Sequence, residues 1–398
     1  MNQTPRGNRL HIAIFGRRNA GKSSLINALT DQDIALVSDV AGTTTDPVYK
    51  SMEILPIGPV LIIDTAGIDD EGNIGELRVQ KTKEVINKTD VAIIVVDHRT
   101  GLSKWEIELL DLLKGKNIPM VIVENKIDLK GNSDEPVYNL EDNIPIVKTS
   151  AKLKEGIDEL KNIIIEIAPT FEEKSLLDGL VNPREMVLLV TPIDSAAPKG
   201  RMILPQVQVI REILDKGAFM AICRENQVAE TIRHLKNPPK LIITDSQAFK
   251  EVNEQISDDT PITSFSIIFA NHKGDLKYLI DGVKTIEGLQ EGSKILIAEA
   301  CTHHRQKDDI GTVKIPMWLE KITGKKLNFN WVTGTAFPNN LEEYSLIVHC
   351  GSCMLNRQEM IYRIDTAKKA VVPMVNYGVL ISYVAGILDK AVYPFKLK

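Results

Sequence analysis

The stretch HIAIFGRRNAGKSSLINAL, residues 11–29, constrains the fold more than any other part of the chain. A short apolar run leads into a glycine-rich turn and then into an amphipathic pattern, so strand, loop and helix follow one another directly. Gly16, Gly21, Lys22 and Ser23 fit the spacing G-x-x-x-x-G-K-S/T. In such a turn the backbone N–H groups around Asn19, Ala20, Gly21 and Ser24 form an anion seat at the helix N-terminus. Lys22 then reaches the terminal phosphates and the Ser23 hydroxyl ligates Mg²⁺.

Four further segments carry the rest of a nucleotide site. AGTTTDP (41–47) is a polar loop whose threonines, Thr43 and Thr44 among them, close over metal and nucleotide. VLIIDTAG (60–67) is a buried strand that ends in Asp64, facing Mg²⁺, and Gly67, whose N–H faces the γ-phosphate. MVIVENKIDL (120–129) is a strand ending in Asn125, Lys126 and Asp128. A carboxylate there accepts both N1–H and the N2 amine of guanine, which adenine lacks. TSAK (149–152) offers a backbone N–H to guanine O6 through Ser150, Ala151 and Lys152.

These five pieces, each expected at the carboxyl end of a strand, resemble the motifs of the translation-factor-related GTPases over residues 10–168. The resemblance implies a Ras-like P-loop GTPase with GTP or GDP and Mg²⁺ as cofactors, and Lys22, Thr44, Asp64 and Gly67 as its catalytic set. Two departures bear on mechanism. Ile68 stands where Ras-like proteins carry the glutamine that orients water. Asn19 and GTTTD (42–46) are similar to the potassium-activated branch, in which K⁺ replaces an arginine finger; Thr45 stands where that branch often has arginine.

At 398 residues the chain exceeds one ordinary core, and its composition, 43% hydrophobic and 25% charged, is globular. A net charge of -5 gives no general attraction to nucleic acid or an anionic membrane. No apolar run reaches the ~20 residues that span a bilayer. A cytoplasmic protein is expected, where thiols stay reduced. Acidic, turn-rich APTFEEKSLLDGLVNP (168–183) marks a boundary. Strand-like and helical runs then alternate from MVLLVTPID (186–194) to PKLIITDSQAF (239–249), predicting βαβ units and a small parallel sheet. The alternation gives an α/β fold of three domains: a GTPase domain at 1–170, a dimerisation domain at 181–265 and a metal-binding domain at 266–398. Homodimerisation is assigned to the middle domain because no site is visible in it. Cys223 reads as a buried small hydrophobe.

Three of the four cysteines lie in the last domain. GSKILIAEACTHH (292–304) delivers Cys301, His303 and His304 at a strand end, and EYSLIVHCGSC (343–353) delivers His349, Cys350 and Cys353 at another. In open α/β sheets ligands bind at that end, so the two groups meet there. A Cys-x-x-Cys alone admits a redox pair, a zinc site completed by histidine, or a [4Fe-4S] cluster on three thiolates with one iron left for an exchangeable ligand.

A GTPase domain followed by CTH (301–303) and HCGSC (349–353) resembles the [FeFe]-hydrogenase maturation GTPases, the HydF family, over nearly the whole chain. The resemblance implies a homodimer with a [4Fe-4S] cluster on Cys301, Cys350 and Cys353. It further implies a scaffold that receives a diiron precursor from radical-SAM enzymes and passes it to apo-[FeFe]-hydrogenase. His303, His304, His349, Asp308, Asp309 and solvent compete for the fourth cluster position, with Asp309 preferred as an exchangeable oxygen ligand. Switch segments near 39–50 and 66–82 are expected to act on partner association rather than on cluster ligation. The alternative is a regulatory GTPase of RNA modification or ribosome assembly with a structural zinc module.

Overall fold

The sheet that carries the nucleotide motifs is built from runs too apolar to face water on either side. In the computed structural model, which describes residues 5–30, 47–65, 81–129, 143–169, 175–193, 202–300, 309–334, 336–338 and 340–397, those runs become strands β1 (Leu10–Phe15), β3 (Gly58–Asp64), β4 (Val91–Asp97), β5 (Met120–Asn125) and β6 (Ile146–Thr149). They are parallel, and β2 (Val48–Ile54) joins antiparallel at the edge, in the order β2-β3-β1-β4-β5-β6. Every residue of β1, β4 and β5 is buried. One face packs Ile12, Ile14, Val91 and Val123 on Leu25 and Leu29 of α1 (Lys22–Thr30) and Leu160 and Ile164 of α3 (Ile157–Ile167). The other packs Ala13, Phe15, Ile63 and Ile94 on Leu109 and Leu113 of α2 (Lys104–Gly115). Both faces covered by helices is what a continuous β-branched run requires.

Of AGTTTDP only Pro47 is among the described residues, and it leads into β2, whose Val48 pairs with Asp64. Because β2 runs antiparallel to β3, its amino end lies at the same rim as the carboxyl ends of the parallel strands.

The chain divides into two compact units, Met1–Phe171 and Glu172–Lys398. The second holds two four-stranded parallel sheets. The first sheet, ordered β10-β9-β7-β8, uses β7 (Met186–Val190), β8 (Phe219–Cys223), β9 (Leu241–Thr244) and β10 (Ile262–Ser264). Its connections carry α4 (Leu204–Asp215), α5 (Val228–His234) and α6 (Phe249–Asn253). Cys223 ends β8, buried. The second sheet, ordered β12-β11-β13-β14, uses β11 (Lys294–Glu299), β12 (Asn328–Thr333), β13 (Leu346–His349) and β14 (Met374–Asn376).

Between the sheets in sequence lie α7 (Phe265–Lys273) and α8 (Leu276–Val283). Ser264, the last residue of β10, caps α7 by accepting the Ile267 N–H at 3.3 Å. The second sheet adds α9 (Ile315–Thr323), α10 (Arg357–Lys369), α11 (Tyr377–Val384) and α12 (Leu388–Val392). Leu188, Val190 and Ile242 of the first sheet share one apolar cluster with Ile295, Ile297 and Val348 of the second. At about 1.5–3 kcal/mol for each fully buried aliphatic side chain, that cluster holds the two sheets as one body. No helix among the described residues is long and apolar enough to cross a membrane.

Candidate functional site

Two rims carry the chemistry, one in each unit. In the first, the turn after β1 is shaped by close approach. A Cβ on Gly16 would sit 2.3 Å from the Val95 carbonyl oxygen, and one on Gly21 would sit 2.2 Å from Asn125 Nδ2, so only glycine fits either place. Lys22 is buried at the start of α1, and its Nζ donates to the Gly16 carbonyl at 2.7 Å and the Arg17 carbonyl at 3.0 Å. Arg17 is tied to the start of α2, its Nε donating to Glu106 Oε1 at 2.9 Å and its Nη2 to the Gly101 carbonyl at 2.9 Å. Glu106 in turn accepts the Ser103 N–H at 2.8 Å as a capping box. Asn19 is exposed with φ of 61°, and Ser24 is exposed on α1.

The metal-facing pair stands as a hydroxyl and a carboxylate. Ser23 Oγ donates to Asp64 Oδ2 at 3.3 Å, while Asp64 Oδ1 is buried and has no hydrogen-bond partner among the described residues. Burial raises the Asp64 carboxyl above its ordinary value, with Lys22, Ser23 and Lys50 pulling it down. A buried carboxylate oxygen without a donor, beside a serine hydroxyl, fits a hard divalent cation.

The guanine-facing residues form one network. Asn125 Oδ1 accepts the Ala151 N–H at 3.0 Å and the Thr149 hydroxyl at 3.2 Å, and its Nδ2 donates to the Ala20 carbonyl at 3.1 Å. The Ser150 hydroxyl donates to Asp128 Oδ1 at 2.7 Å. Lys126 Nζ donates to the Asn19 carbonyl and, at 2.9 Å, to Asp97 Oδ2. Asp97 was not among the sequence candidates. Arg99, gripping both its oxygens at 2.9 and 2.7 Å, and then Lys126 hold its carboxyl well below the usual carboxylate range. Lys152 is exposed at the end of the last motif. Thr43, Thr44, Thr45, Gly67 and Ile68 lie outside the described residues.

The second rim is made by neighbouring strands. β11 and β13 pair with Ala298 opposite His349, and the Cys350 N–H donates to the Ala298 carbonyl at 3.0 Å. The Ala300 N–H donates to Cys350 Sγ at 3.1 Å, which sets that thiol beside the residue preceding Cys301. Cys301, His303, His304 and Asp308 themselves lie outside the described residues. Cys350 and Cys353 are half-buried and free. Burial pushes the Cys350 thiol up to about 11 and raises that of Cys353, with Lys273 opposing the latter shift. Among the described residues no three His, Cys, Asp or Glu side chains stand close enough to hold a metal. The two thiols, with an N–H already directed at one sulfur, are a soft donor set suited to zinc or an iron-sulfur group.

His349 has partners at both ring nitrogens. It is fully buried, its Nε2 is 3.0 Å from Arg363 Nη1, and its Nδ1 is 2.9 Å from the Cys350 carbonyl and 3.1 Å from Ser352 Oγ. A guanidinium only donates, so Nε2 accepts and the proton sits on Nδ1. Burial and then Arg363 push the imidazole pKa down to about 3. Arg363, fully buried, also donates to Glu359 Oε1 at 3.1 Å and the Gly334 carbonyl at 2.8 Å.

Asp309, also buried, caps the helical turn Ile310–Lys314, its Oδ1 accepting the Thr312 N–H and hydroxyl, both at 2.8 Å. Close by, the Tyr377 hydroxyl donates to Glu299 Oε1 at 3.1 Å. Burial, Glu299 and Cys350 raise the tyrosine's pKa. The Asn376-Tyr377-Gly378 segment is thus both a strand-to-helix connection, with Asn376 capping α11, and a neighbour of the rim.

Comparison with known proteins divides the chain in the same places. Residues 11–126 match a family of 50S ribosome-binding GTPases. Among curated proteins, the tRNA modification GTPase MnmE of Chromobacterium violaceum is 38% identical over 159 residues, 40% of this chain and 34% of that protein. The MnmE of Nostoc sp. is 35% identical over 202 residues, 50% of this chain and 42% of that protein. The chain therefore spans well under half the length of these relatives. Among solved structures, Era of Aquifex aeolicus bound to GDP and aluminium fluoride is 18% identical, covering 62% of this chain and 97% of that one with a TM-score of 0.34. The bacterial elongation factor EF-Sec is 24% identical, covering 42% of this chain and 30% of that one, also at 0.34.

Residues 11–126, with this geometry and that match, belong to a P-loop GTPase domain. Residues 176–274 match the hydrogen maturase F dimerization domain and residues 277–394 the hydrogen maturase F tetramerization domain. With those two domains spanning more than half of the chain behind a GTPase domain, the chain belongs to the hydrogen maturase F family.

Proposed function

We propose that the chain is a GTP-hydrolysing carrier that holds a [4Fe-4S] cluster on Cys301, Cys350 and Cys353 and delivers a diiron precursor to apo-[FeFe]-hydrogenase. The observation that carries this reading is the pairing of β11 with β13, which sets Cys350 Sγ 3.1 Å from the N–H of the residue before Cys301. When bound, a cluster on three thiolates leaves one iron for an exchangeable ligand. Both ring nitrogens of His349 already have partners, which leaves Asp309, Asp308, His303, His304 or solvent for the fourth position. Asp309 remains the preference, a buried carboxylate that, like Cys350, acts on Tyr377.

In the first unit, Lys22 and the turn Gly16–Ser24 hold the phosphates, Ser23 and Asp64 hold Mg²⁺, and Thr43, Thr44 and Gly67 close over the γ-phosphate. Asn125, Lys126, Asp128 and the Ser150–Lys152 segment read guanine. With Ile68 in the place of the water-orienting glutamine, hydrolysis is slow or water is placed by another group; Asn19 ligates K⁺, which takes the place of an arginine finger. Equal hydrolysis rates in sodium and potassium would remove that role.

The family's dimerization and tetramerization domains support oligomerisation. We assign the dimer contact to β8, an edge strand with Phe219 57% and Ile222 46% exposed. Phe219→Glu should yield monomers by sedimentation. Partners are radical-SAM maturation enzymes and the apo-hydrogenase, in the cytoplasm, with no nucleic acid or membrane involved.

Anaerobic purification tests the reading directly. The protein should be brown and contain iron and sulfide, and Cys350→Ser or Cys353→Ser should remove the colour while GTP hydrolysis continues. Colourless protein with stoichiometric zinc would instead establish the regulatory GTPase with a zinc module, a reading supported by the MnmE likeness of the first unit.

A further inference from the structure

A buried charge is costly unless an opposite charge or a full set of hydrogen bonds meets it. Lys273, the last residue of α7, is only 3% exposed. Its Nζ donates to the carbonyls of Ser352 at 3.2 Å, Cys353 at 3.3 Å and Leu355 at 2.7 Å. Those bonds use all three donors of an ammonium, and all end on the turn that carries Cys353. The Phe269 ring lies 5.4 Å below the nitrogen. Among the described residues no carboxylate is paired with it.

The turn itself needs such support. Ser352 has φ of 56°, a left-handed conformation that a serine adopts only when its surroundings impose it. Ser352 Oγ lies 3.3 Å from the Cys350 carbonyl and 3.1 Å from Met360 sulfur, and Lys273 ties the following carbonyls from the other side. Lys273 belongs to the segment matching the dimerization domain, whereas the turn belongs to the segment matching the tetramerization domain. The tie therefore crosses from one family segment to the other.

We propose that Lys273 is a positioning residue for the cysteine rim: its ammonium fixes the turn 352–355 and supplies the positive charge that thiolates and an anionic iron-sulfur group on them require. This rests on the reading that Cys350 and Cys353 ligate such a group.

Two variants separate the charge from the hydrogen bonds. Lys273→Met keeps the stem and loses both, and Lys273→Gln keeps a donor and loses the charge. Each is reconstituted anaerobically with iron and sulfide beside the wild-type chain. Iron loss to a ferrous chelator should be about 10- to 100-fold faster in Lys273→Met, the range typical for removing a supporting group around a metal. The cluster's midpoint potential, followed by electron paramagnetic resonance, should become more negative in both variants, because the added electron has lost its counter-charge.

GTP hydrolysis should be unchanged in both. If Lys273→Gln keeps the wild-type potential and chelation rate, Lys273 only caps a turn and the proposal falls. If the wild-type chain itself takes up no iron and sulfide, the cluster reading falls and takes this inference with it.

Discussion

Both rims lie at the carboxyl ends of parallel strands, yet they are held in opposite ways. The nucleotide rim is bound together largely through main-chain groups, the carbonyls of Gly16, Arg17, Asn19 and Ala20 and the N–H of Ala151. Its charged groups, such as Asp97 with Arg99 and Lys126, are paired at the edge of solvent. The cysteine rim is held by ionic side chains that are almost wholly buried: Lys273 from α7, and Arg363 and Glu359 from α10. A transient phosphate ligand suits a seat made largely of fixed dipoles with the Lys22 ammonium beside them. A resident anionic group suits a shell of buried cations.

The difference predicts where each unit is fragile. The largest effect should come from Arg363→Met, which strands the Glu359 carboxylate and leaves His349 Nε2 without its donor. Breaking a buried pair in this way costs about 3–5 kcal/mol. Denaturant unfolding of the second unit should show that loss while GTP hydrolysis persists. A loss below about 1 kcal/mol, the level of an exposed ion pair, would erase the distinction between the rims.

In the first unit the corresponding change is functional rather than structural. Lys22→Ala should lower the rate of GTP hydrolysis by about 10²- to 10³-fold, the usual effect of removing one electrostatic stabiliser of the transition state. Folding should survive, because the described bonds of the amine end on carbonyls of its own turn. Steady-state hydrolysis and thermal unfolding measured on the same sample decide the matter. A variant that unfolds would mean that the first rim, too, depends on a buried charge.

The same contrast explains what was legible in the sequence. The phosphate turn announces itself because eight adjacent residues carry its geometry, and the glycines at 16 and 21 are demanded by neighbours that the motif always brings. Asn125, Asp128 and the 149–151 segment follow because each ends a strand of recognisable apolarity. Cys350 and Cys353 were visible as ligand types, but not the residues that hold them. Lys273, at a helix end in NHKGD, reads as an ordinary C-terminal cation. Arg363 with Glu359 at i,i+4 reads as a solvated surface pair. Their burial is set by α7 and α10 packing on strands far away in sequence, which local pattern does not encode. Asp97 was passed over because it ends its strand with no motif around it. The antiparallel direction of β2 was missed for a related reason, since pairing direction is a property of the sheet and not of the strand.

The smallest effect tests the buried rim through acid. His349 has a pKa of about 3 in the folded chain against 6.5 ordinarily. Between those values the unfolded chain binds a proton that the folded chain refuses, so folding stability rises with pH across that window. The contribution is complete above about 6.5 and is lost on acidification at about 1.4 kcal/mol per pH unit, or ~2 kcal/mol by pH 5. In the first unit Asp64 has the opposite sign. Its raised carboxyl lets the folded state bind the proton first, so below its folded pKa acid favours the fold until the ordinary carboxylate value is passed. Urea unfolding at pH 7 and pH 5 should therefore weaken the second unit in the wild-type chain, and His349→Gln should flatten that pH dependence. If His349→Gln leaves the slope unchanged, the imidazole is not the proton-refusing group, and acid sensitivity of the buried rim must arise from another residue.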